Sequence, residues 1–122
     1  MEPTIPVFVY GTLKSGMPNH GFLRDATPLG PATTVNHYAL HAGAGLPMVD
    51  GSNPVSPIHG ELYLVNAHTF ADLDRLEGHP TFYCRKWVPI RHQGGTIHAW
   101  LYFAQQPRGP IEATGNWRGC GA

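Results

Sequence analysis

The chain has 122 residues, with eight Lys plus Arg against eight Asp plus Glu and a formal net charge of zero. This length suits one domain spanning residues 1–122 that buries a core without metal or disulfide staples. Without a basic excess the chain has no charge to attract phosphate backbones or anionic lipids, which argues against nucleic acid and membranes as partners. Fifteen glycines, twelve prolines and only 13% charged residues favour a strand-rich, loop-rich protein.

Cysteine content and the first residues bear on the compartment. Cys84 and Cys120 are too few for a disulfide framework. The N-terminal segment M-E-P-T-I-P has no basic region followed by an apolar run. We therefore expect a cytoplasmic protein.

The stretch Val7–Lys14, V-F-V-Y-G-T-L-K, predicts a strand followed by a sharp turn. Its first four residues are β-branched or aromatic and suit a buried strand. Gly11 allows a close approach to the main chain, so the amides of Gly11, Thr12 and Leu13 are placed to bind a carboxylate or carbonyl oxygen. An ordinary turn is the alternative interpretation of the same glycine.

Residues 17–57 show short strands separated by loops. Met17–Leu23 predicts an ordered turn that ends in a short helical piece. Pro28–Pro31 predicts a break in the chain. Strands are predicted over Thr33–Leu40 and over the apolar run Leu46–Val49, and Gly51–Pro57 is dense in loop-forming residues.

The next segments predict a strand and one helix. Ile58–Val65 alternates between two faces, as a strand does. The apolar period then changes to that of a helix after Asn66, a good N-cap, and Gly78 is a C-terminal stop. These signals predict a helix over Ala67–Glu77.

The last third of the chain predicts a hairpin and a tail. Tyr83–Arg91 and Thr96–Ala104 are strand-like and are separated by a short glycine-containing turn. Pro89 indicates that its strand lies at an edge or is bulged there. We expect the extended tail to be anchored by Ile111 and Trp117. The whole pattern predicts an α+β fold whose mixed sheet curls into a small barrel.

Glu77 is the most informative candidate for chemistry. As the last helical residue before a glycine stop, it places a negative charge at a helix C-terminus, where the helix dipole disfavours it. This local conflict indicates a functional carboxylate, and a solvated helix-end glutamate is the alternative. His37 and His41 lie four apart in a segment with strand character, a spacing that separates two metal ligands, so no metal site is expected.

Three stretches together carry a resemblance to a known family. They are Y-G-T-L at Tyr10–Leu13, L-D-R-L-E-G-H-P-T-F-Y-C-R at Leu73–Arg85 and G-N-W at Gly115–Trp117. In this order and separation they resemble the γ-glutamylcyclotransferase-like superfamily, and more closely its AIG2-like and γ-glutamylamine cyclotransferase branch. One departure is visible, because the family often has an acidic residue where this chain has Asn116.

The resemblance implies a small mixed β-barrel flanked by helices and a reaction that uses no metal and no cofactor. It implies that Glu77 is the catalytic acid and base. It also implies that Tyr83 lies at the pocket wall and that the loop holding the glutamyl part of the substrate is formed by Tyr10, Gly11, Thr12 and Leu13.

The implied activity is conversion of a γ-glutamyl amine or γ-glutamyl amino acid to 5-oxoproline and a free amine. Two alternatives are a non-catalytic AIG2-like module that binds a metabolite, and removal of a γ-glutamyl protecting group from a biosynthetic intermediate. The expected partner is a small γ-glutamyl molecule, and the chain is expected to be a monomer or a weak homodimer. Asn19–Pro31 and Gly43–Pro57 are the segments expected to recognise the leaving amine.

Overall fold

A computed structural model describes residues 2–43 and 46–119. Cys120 and residues 44–45 of the predicted amine-recognition loop lie outside the described residues. The strands are, in chain order, β1 (Ile5–Val9), β2 (Thr27–Thr34), β3 (Ala39–His41), β4 (Met48–Asp50), β5 (His59–Val65), β6 (Tyr83–His92) and β7 (Gly95–Ala104). A 3₁₀ helix covers His20–Leu23, and the helix α1 covers Ala67–Glu77.

Five of the strands form a closed barrel in the order β1-β5-β2-β6-β7. The barrel closes through a parallel contact in which Val7 of β1 lies opposite Trp100 of β7, while its other pairings are antiparallel. β3 and β4 form a separate antiparallel pair. The predicted α+β fold with a small mixed barrel is confirmed.

Alternation along β1 divides the core into two clusters and thereby places the site. Phe8 packs with Leu62, Ile90 and Leu101 of the barrel strands. Val7 and Val9 point the other way and pack in the cluster that contains Leu73 of α1. Because successive strand residues face opposite sides, β1 is covered on both faces and delivers the loop after it to the end of α1.

The helix follows its local signals. The side-chain oxygen of Asn66 accepts a hydrogen bond of 2.8 Å from the amide of Thr69, which caps the N-terminus. Gly78 adopts a left-handed conformation with φ of 65° and ends the helix. The predicted bounds, Ala67–Glu77, are confirmed.

The prediction that the chain breaks at Pro28–Pro31 is wrong. β2 runs through these residues with an irregularity between Pro28 and Gly30, and over this part it pairs only with β5, since its pairing with β6 begins at Ala32. A proline removes an amide donor, which does no harm where one side of the strand has no partner. The prediction of a single strand over Thr33–Leu40 is also wrong, because β2 ends at Thr34 and β3 begins only at Ala39.

The hairpin is confirmed, with β6 and β7 each one residue longer than predicted and a two-residue turn between His92 and Gly95. Pro89 lies just outside the residues of β6 that pair with β2, in agreement with its predicted edge position. In the tail Trp117 is buried, with 4% of its surface exposed, but Ile111 is 44% exposed. Ile111 nevertheless forms an antiparallel bridge with His41, so the tail is anchored through the backbone at Ile111 and through the buried side chain of Trp117. Within the described residues no helix combines the length and the apolar character needed to cross a membrane.

Candidate active site

A pocket opens between the loop after β1 and the C-terminal end of α1. The open space within it, including the mouth, is about 390 Å³. The residues that line it are Phe8, Val9, Tyr10, Gly11, Thr12, Leu13, Leu46, Pro47, Glu77, Tyr83 and Tyr102. All residues that the sequence analysis assigned to the site therefore meet in one pocket, while the roles assigned to them stay predictions.

Glu77 supplies the carboxylate of this pocket. It is the last residue of α1, and the left-handed Gly78 turns the chain away directly after it. Burial raises the pKa of the Glu77 carboxyl from 4.5 to about 7. Within residues 2–43 and 46–119, no group donates a hydrogen bond to this carboxylate. Its oxygens are thus free to accept a proton or a hydrogen bond from a bound molecule.

Three tyrosines surround the pocket, and each donates its hydroxyl proton to another acceptor of the protein. Tyr10 donates to the backbone oxygen of Tyr102 at 2.7 Å, and Tyr102 donates to Asp74 at 2.6 Å. Tyr83 donates to the backbone oxygen of Pro47 at 3.0 Å. Their hydroxyl protons are therefore committed to holding the pocket walls rather than to Glu77.

The same tyrosines are kept neutral by their surroundings. Burial raises the pKa of the Tyr10 phenol, and nearby Tyr83 and Glu77 raise it further. Burial also raises the pKa of Tyr83, again with a contribution from the Glu77 charge. Since an added negative charge would face Glu77 in an apolar setting, the phenols act as donors and not as bases.

The loop after β1 lines the pocket with residues whose amides are unpaired among the described residues. The backbone oxygen of Gly11 accepts from Lys14 at 3.0 Å, and that of Thr12 accepts from Asn19 at 2.8 Å, which fixes the turn. Among the described residues, the amides of Gly11, Thr12 and Leu13 donate to no acceptor. Amides held in this way form a ready site for an oxyanion or a carboxylate.

Gly11 is required by space rather than by its backbone conformation, since its φ is not positive. A Cβ atom added there would clash with the ring of Pro47, which is rigid and has no rotamer to move into. Leu46 and Pro47 were not predicted individually, but they lie within Gly43–Pro57, one of the two segments expected to recognise the leaving amine. Tyr102 also lines the pocket, whereas for an aromatic residue on a strand a core position is the more frequent outcome.

Ionisable groups are few at this pocket. Apart from Glu77 and the tyrosines, none of the residues lining it carries a side chain that ionises. In the described ranges no three His, Cys, Asp or Glu side chains come together in a group suited to a metal ion. The fold and the site together define a small barrel protein whose pocket is lined by one partly buried carboxylate and by a loop with free amides.

Comparison with known proteins places the chain in a family. The model of the family "Gamma-glutamyl cyclotransferase, AIG2-like" matches residues 7–119. A Methanocaldococcus jannaschii protein named as a candidate gamma-glutamylcyclotransferase is 38% identical over 114 residues, covering 92% of this chain and 94% of its own. A Vibrio cholerae protein with the same kind of name is 45% identical over 101 residues, covering 82% of each chain.

A solved structure agrees with these sequence relatives. The crystal structure of an AIG2-like protein from Mus musculus superposes with a TM-score of 0.82 at 26% identity, covering 93% of this chain and 88% of that one. The chain belongs to the AIG2-like gamma-glutamyl cyclotransferase family.

Proposed function

We propose that this protein converts a γ-glutamyl amine or a γ-glutamyl amino acid to 5-oxoproline and a free amine, with Glu77 acting first as general base and then as general acid. The observation that carries the proposal is the position of Glu77, whose partly buried carboxylate lines the same small pocket as Gly11, Thr12 and Leu13, the residues with free amides. Membership of the family supports the same reaction.

The substrate of this reaction carries its own nucleophile. The α-amine of the glutamyl group attacks its γ-carbonyl carbon, a new C–N bond closes a five-membered ring, and the original amide C–N bond breaks. One proton must leave the α-ammonium group and one must reach the departing nitrogen. A single carboxylate that accepts the first and returns it to the second balances the reaction.

The proton affinity of Glu77 suits both steps. An α-amino group has a pKa of about 8, and the Glu77 carboxyl has a pKa of about 7. Because the two values are close, transfer between them is nearly thermoneutral, and the protonated acid is strong enough to protonate the leaving nitrogen. An ordinary exposed glutamate, with a pKa of about 4.3, would be a much weaker base.

The free amides give the substrate an anchor. In the proposed complex the amides of Gly11, Thr12 and Leu13 bind the α-carboxylate of the glutamyl group or the oxyanion that forms at its γ-carbon. A glutamyl chain held at one end with its amine at Glu77 is coiled for attack, and intramolecular reactions gain several kcal/mol from such positioning. Tyr10 and Tyr83 supply the walls against which the chain coils.

The test is release of 5-oxoproline from a panel that contains γ-glutamyl-lysine linked through the side-chain amine, γ-glutamyl-alanine and glutathione. Glu77→Gln keeps the shape of the side chain and removes its basicity, so we expect it to fold and to lose about 10²- to 10⁴-fold in turnover. Glu112→Gln is the matched control, since the Glu112 carboxylate lies outside the pocket and accepts hydrogen bonds only from Thr114 among the described residues. This variant is expected to have wild-type activity.

Two results would contradict the proposal. One is turnover by Glu77→Gln at the wild-type rate. The other is tight binding of a γ-glutamyl compound by the wild type with no 5-oxoproline formed, which would assign the protein to the non-catalytic binding class.

A further inference from the structure

Glu77 lies between Asp74 and His79 in the chain, and both of these residues contact Arg85. We propose that Asp74 and Arg85 are positioning residues that fix the last turn of α1 and so hold the partly buried Glu77 carboxylate in its place in the pocket. The catalytic consequence of this inference rests on the proposed function, but the structural consequence does not.

The first contact lies three residues before Glu77. The carboxylate of Asp74 accepts from Nε of Arg85 at 2.9 Å and from Nη2 at 3.1 Å, which makes a two-pronged ion pair. It also accepts from the hydroxyl of Tyr102 at 2.6 Å. The last turn of α1 is thereby joined to both arms of the β6–β7 hairpin.

The second contact lies two residues after Glu77. The backbone amide of Arg85 donates to Nδ1 of His79 at 3.2 Å. The amide of His79 in turn donates to the backbone oxygen of Asp74 at 3.0 Å. Asp74, His79 and Arg85 thus close a ring of contacts around the turn that carries Glu77.

Arg85 is itself held in place. Its guanidinium lies 4.3 Å from the ring centre of Phe70 and 4.6 Å from that of Trp100, so it is stacked between α1 and β7. Only 21% of its side chain is exposed, against 23% for Asp74. A lysine at this position would keep the charge, but it could neither stack on the rings in the same way nor donate both hydrogen bonds to Asp74 in the same geometry.

The two carboxyl groups of this turn, those of Asp74 and Glu77, have pKa values that are shifted in opposite directions. Burial opposes ionisation of Asp74, but the hydrogen bonds from Arg85 and Tyr102 outweigh it and lower the pKa of its carboxyl, with a smaller contribution from His79. Among the described residues that line the pocket, the titratable groups beside Glu77 are the neutral phenols of Tyr10, Tyr83 and Tyr102, and burial raises the pKa of Glu77 to about 7. One helical turn therefore carries a carboxylate that stays charged and a carboxylate that exchanges its proton.

Loss of the ion pair between Asp74 and Arg85 is expected to lower the pKa of Glu77. If the last turn of α1 loosens, Glu77 gains water and its pKa falls towards the ordinary value. Removal of the negative charge of Asp74 acts in the same direction, because a neighbouring negative charge raises the pKa of a carboxyl group. The two causes are separated by Arg85→Lys, which keeps every charge and changes only the geometry.

The first experiment reads the pKa of Glu77 directly, by NMR titration of its ¹³C-labelled side-chain carboxyl in the whole protein without substrate. We expect Asp74→Asn and Arg85→Lys each to lower this pKa by at least about 0.5 unit. Asp72→Asn is the matched control, because Asp72 lies on the same helix but pairs only with His68 and Arg75. It removes an identical charge without touching the hairpin and should leave the pKa of Glu77 unchanged.

The second experiment measures kcat and KM against pH for 5-oxoproline release. We expect both positioning variants to lose between about tenfold and about 100-fold in kcat, as small misplacements of a catalytic group do. The acidic limb of the profile should move to lower pH with the pKa found by NMR, whereas simple loss of folded protein would lower the rate equally at every pH. Thermal unfolding of each variant checks the folded fraction.

The outcomes separate the two proposals. An unchanged Glu77 pKa in both Asp74→Asn and Arg85→Lys overturns the positioning role, whatever the activity. A wild type that releases no 5-oxoproline overturns the proposed function, while the NMR result still decides whether Asp74 and Arg85 position Glu77. A shift in Asp74→Asn without one in Arg85→Lys also overturns the positioning role, because it shows an effect of charge alone.

Discussion

The hydroxyl of Tyr83 donates a hydrogen bond to the backbone oxygen of Pro47, and this contact joins the two walls of the pocket beside Glu77. Tyr83 is the first residue of β6, and Pro47 directly precedes β4. The ring of Pro47 also occupies the space that a side chain at Gly11 would need. Pro47 therefore contacts both the β1 loop and the start of β6, and it fixes the distance between them.

Tyr83→Phe removes the hydroxyl and leaves the ring. The Pro47 oxygen loses its donor, so we expect the free energy of unfolding to fall by about 1 kcal/mol and KM to rise about fivefold, the equivalent of one neutral hydrogen bond. Denaturant unfolding and steady-state kinetics measure the two effects. Tyr38→Phe is the control, since the buried Tyr38 hydroxyl accepts from Asn36 away from the pocket. An equal KM change in both variants would contradict the role of the Tyr83–Pro47 contact.

Gly11→Ala places a methyl group against the Pro47 ring. We expect a loss of about 1–3 kcal/mol in stability, as for other overpacked sites, with a fall in kcat/KM because the loop amides move. Gly21→Ala is the comparison, because a Cβ atom at Gly21 meets nothing within 4 Å. Wild-type kinetics and stability in Gly11→Ala would show that the loop has more room than its contact with Pro47 implies.

The raised pKa of Glu77 makes stability depend on pH. Its carboxyl binds a proton more tightly in the folded state, with a pKa of about 7, than in the unfolded chain. Its stabilising contribution is therefore complete below the unfolded pKa of about 4.3 and is lost as the pH rises through 7. Glu77→Gln has no such loss, so its stability relative to the wild type should grow by on the order of 2 kcal/mol between pH 4 and pH 8.

Chemical denaturation of the wild type and Glu77→Gln at matched pH values measures this difference, in which the other titrating groups cancel. A difference that stays constant from pH 4 to pH 8 would mean that the Glu77 carboxyl is not desolvated. A difference of opposite sign would mean that its charged form has a partner in the folded protein.

Asn116→Asp tests how the tail is attached. The buried ammonium of Lys14 donates to the Trp117 backbone oxygen at 2.6 Å and to Oδ1 of Asn116 at 3.4 Å, and burial lowers the pKa of Lys14. A carboxylate at position 116 would add an opposite charge to a contact that already exists, so we expect a gain of about 0.5–2 kcal/mol in stability. Asn116→Ala should lower the stability, and Asp50→Asn, at the end of β4 where Asp50 accepts from Ser52, should not mimic either change. A lower melting temperature for Asn116→Asp would contradict this account.

Local signals in the sequence were sufficient for much of the fold. The helix Ala67–Glu77 was predicted with its bounds because the cap at Asn66 and the left-handed glycine at position 78 act within a few residues. The hairpin was predicted for the same reason. The first part of β2 was missed because Pro28 and Pro31 break a strand only where both of its edges are paired. Which strands lie beside β2 cannot be inferred from the residues of β2 alone.

The sequence by itself determined that Glu77 ends a helix at a glycine and that a strand delivers a glycine-containing loop, since both depend on neighbouring residues. Only the tertiary structure decided what surrounds them. Tyr102 meets Tyr10 across 92 residues and Pro47 meets Tyr83 across 36, while Arg85 closes on Asp74. Burial, and with it the pKa of Glu77, follows from closure of the barrel around these contacts, which no stretch of the chain specifies on its own.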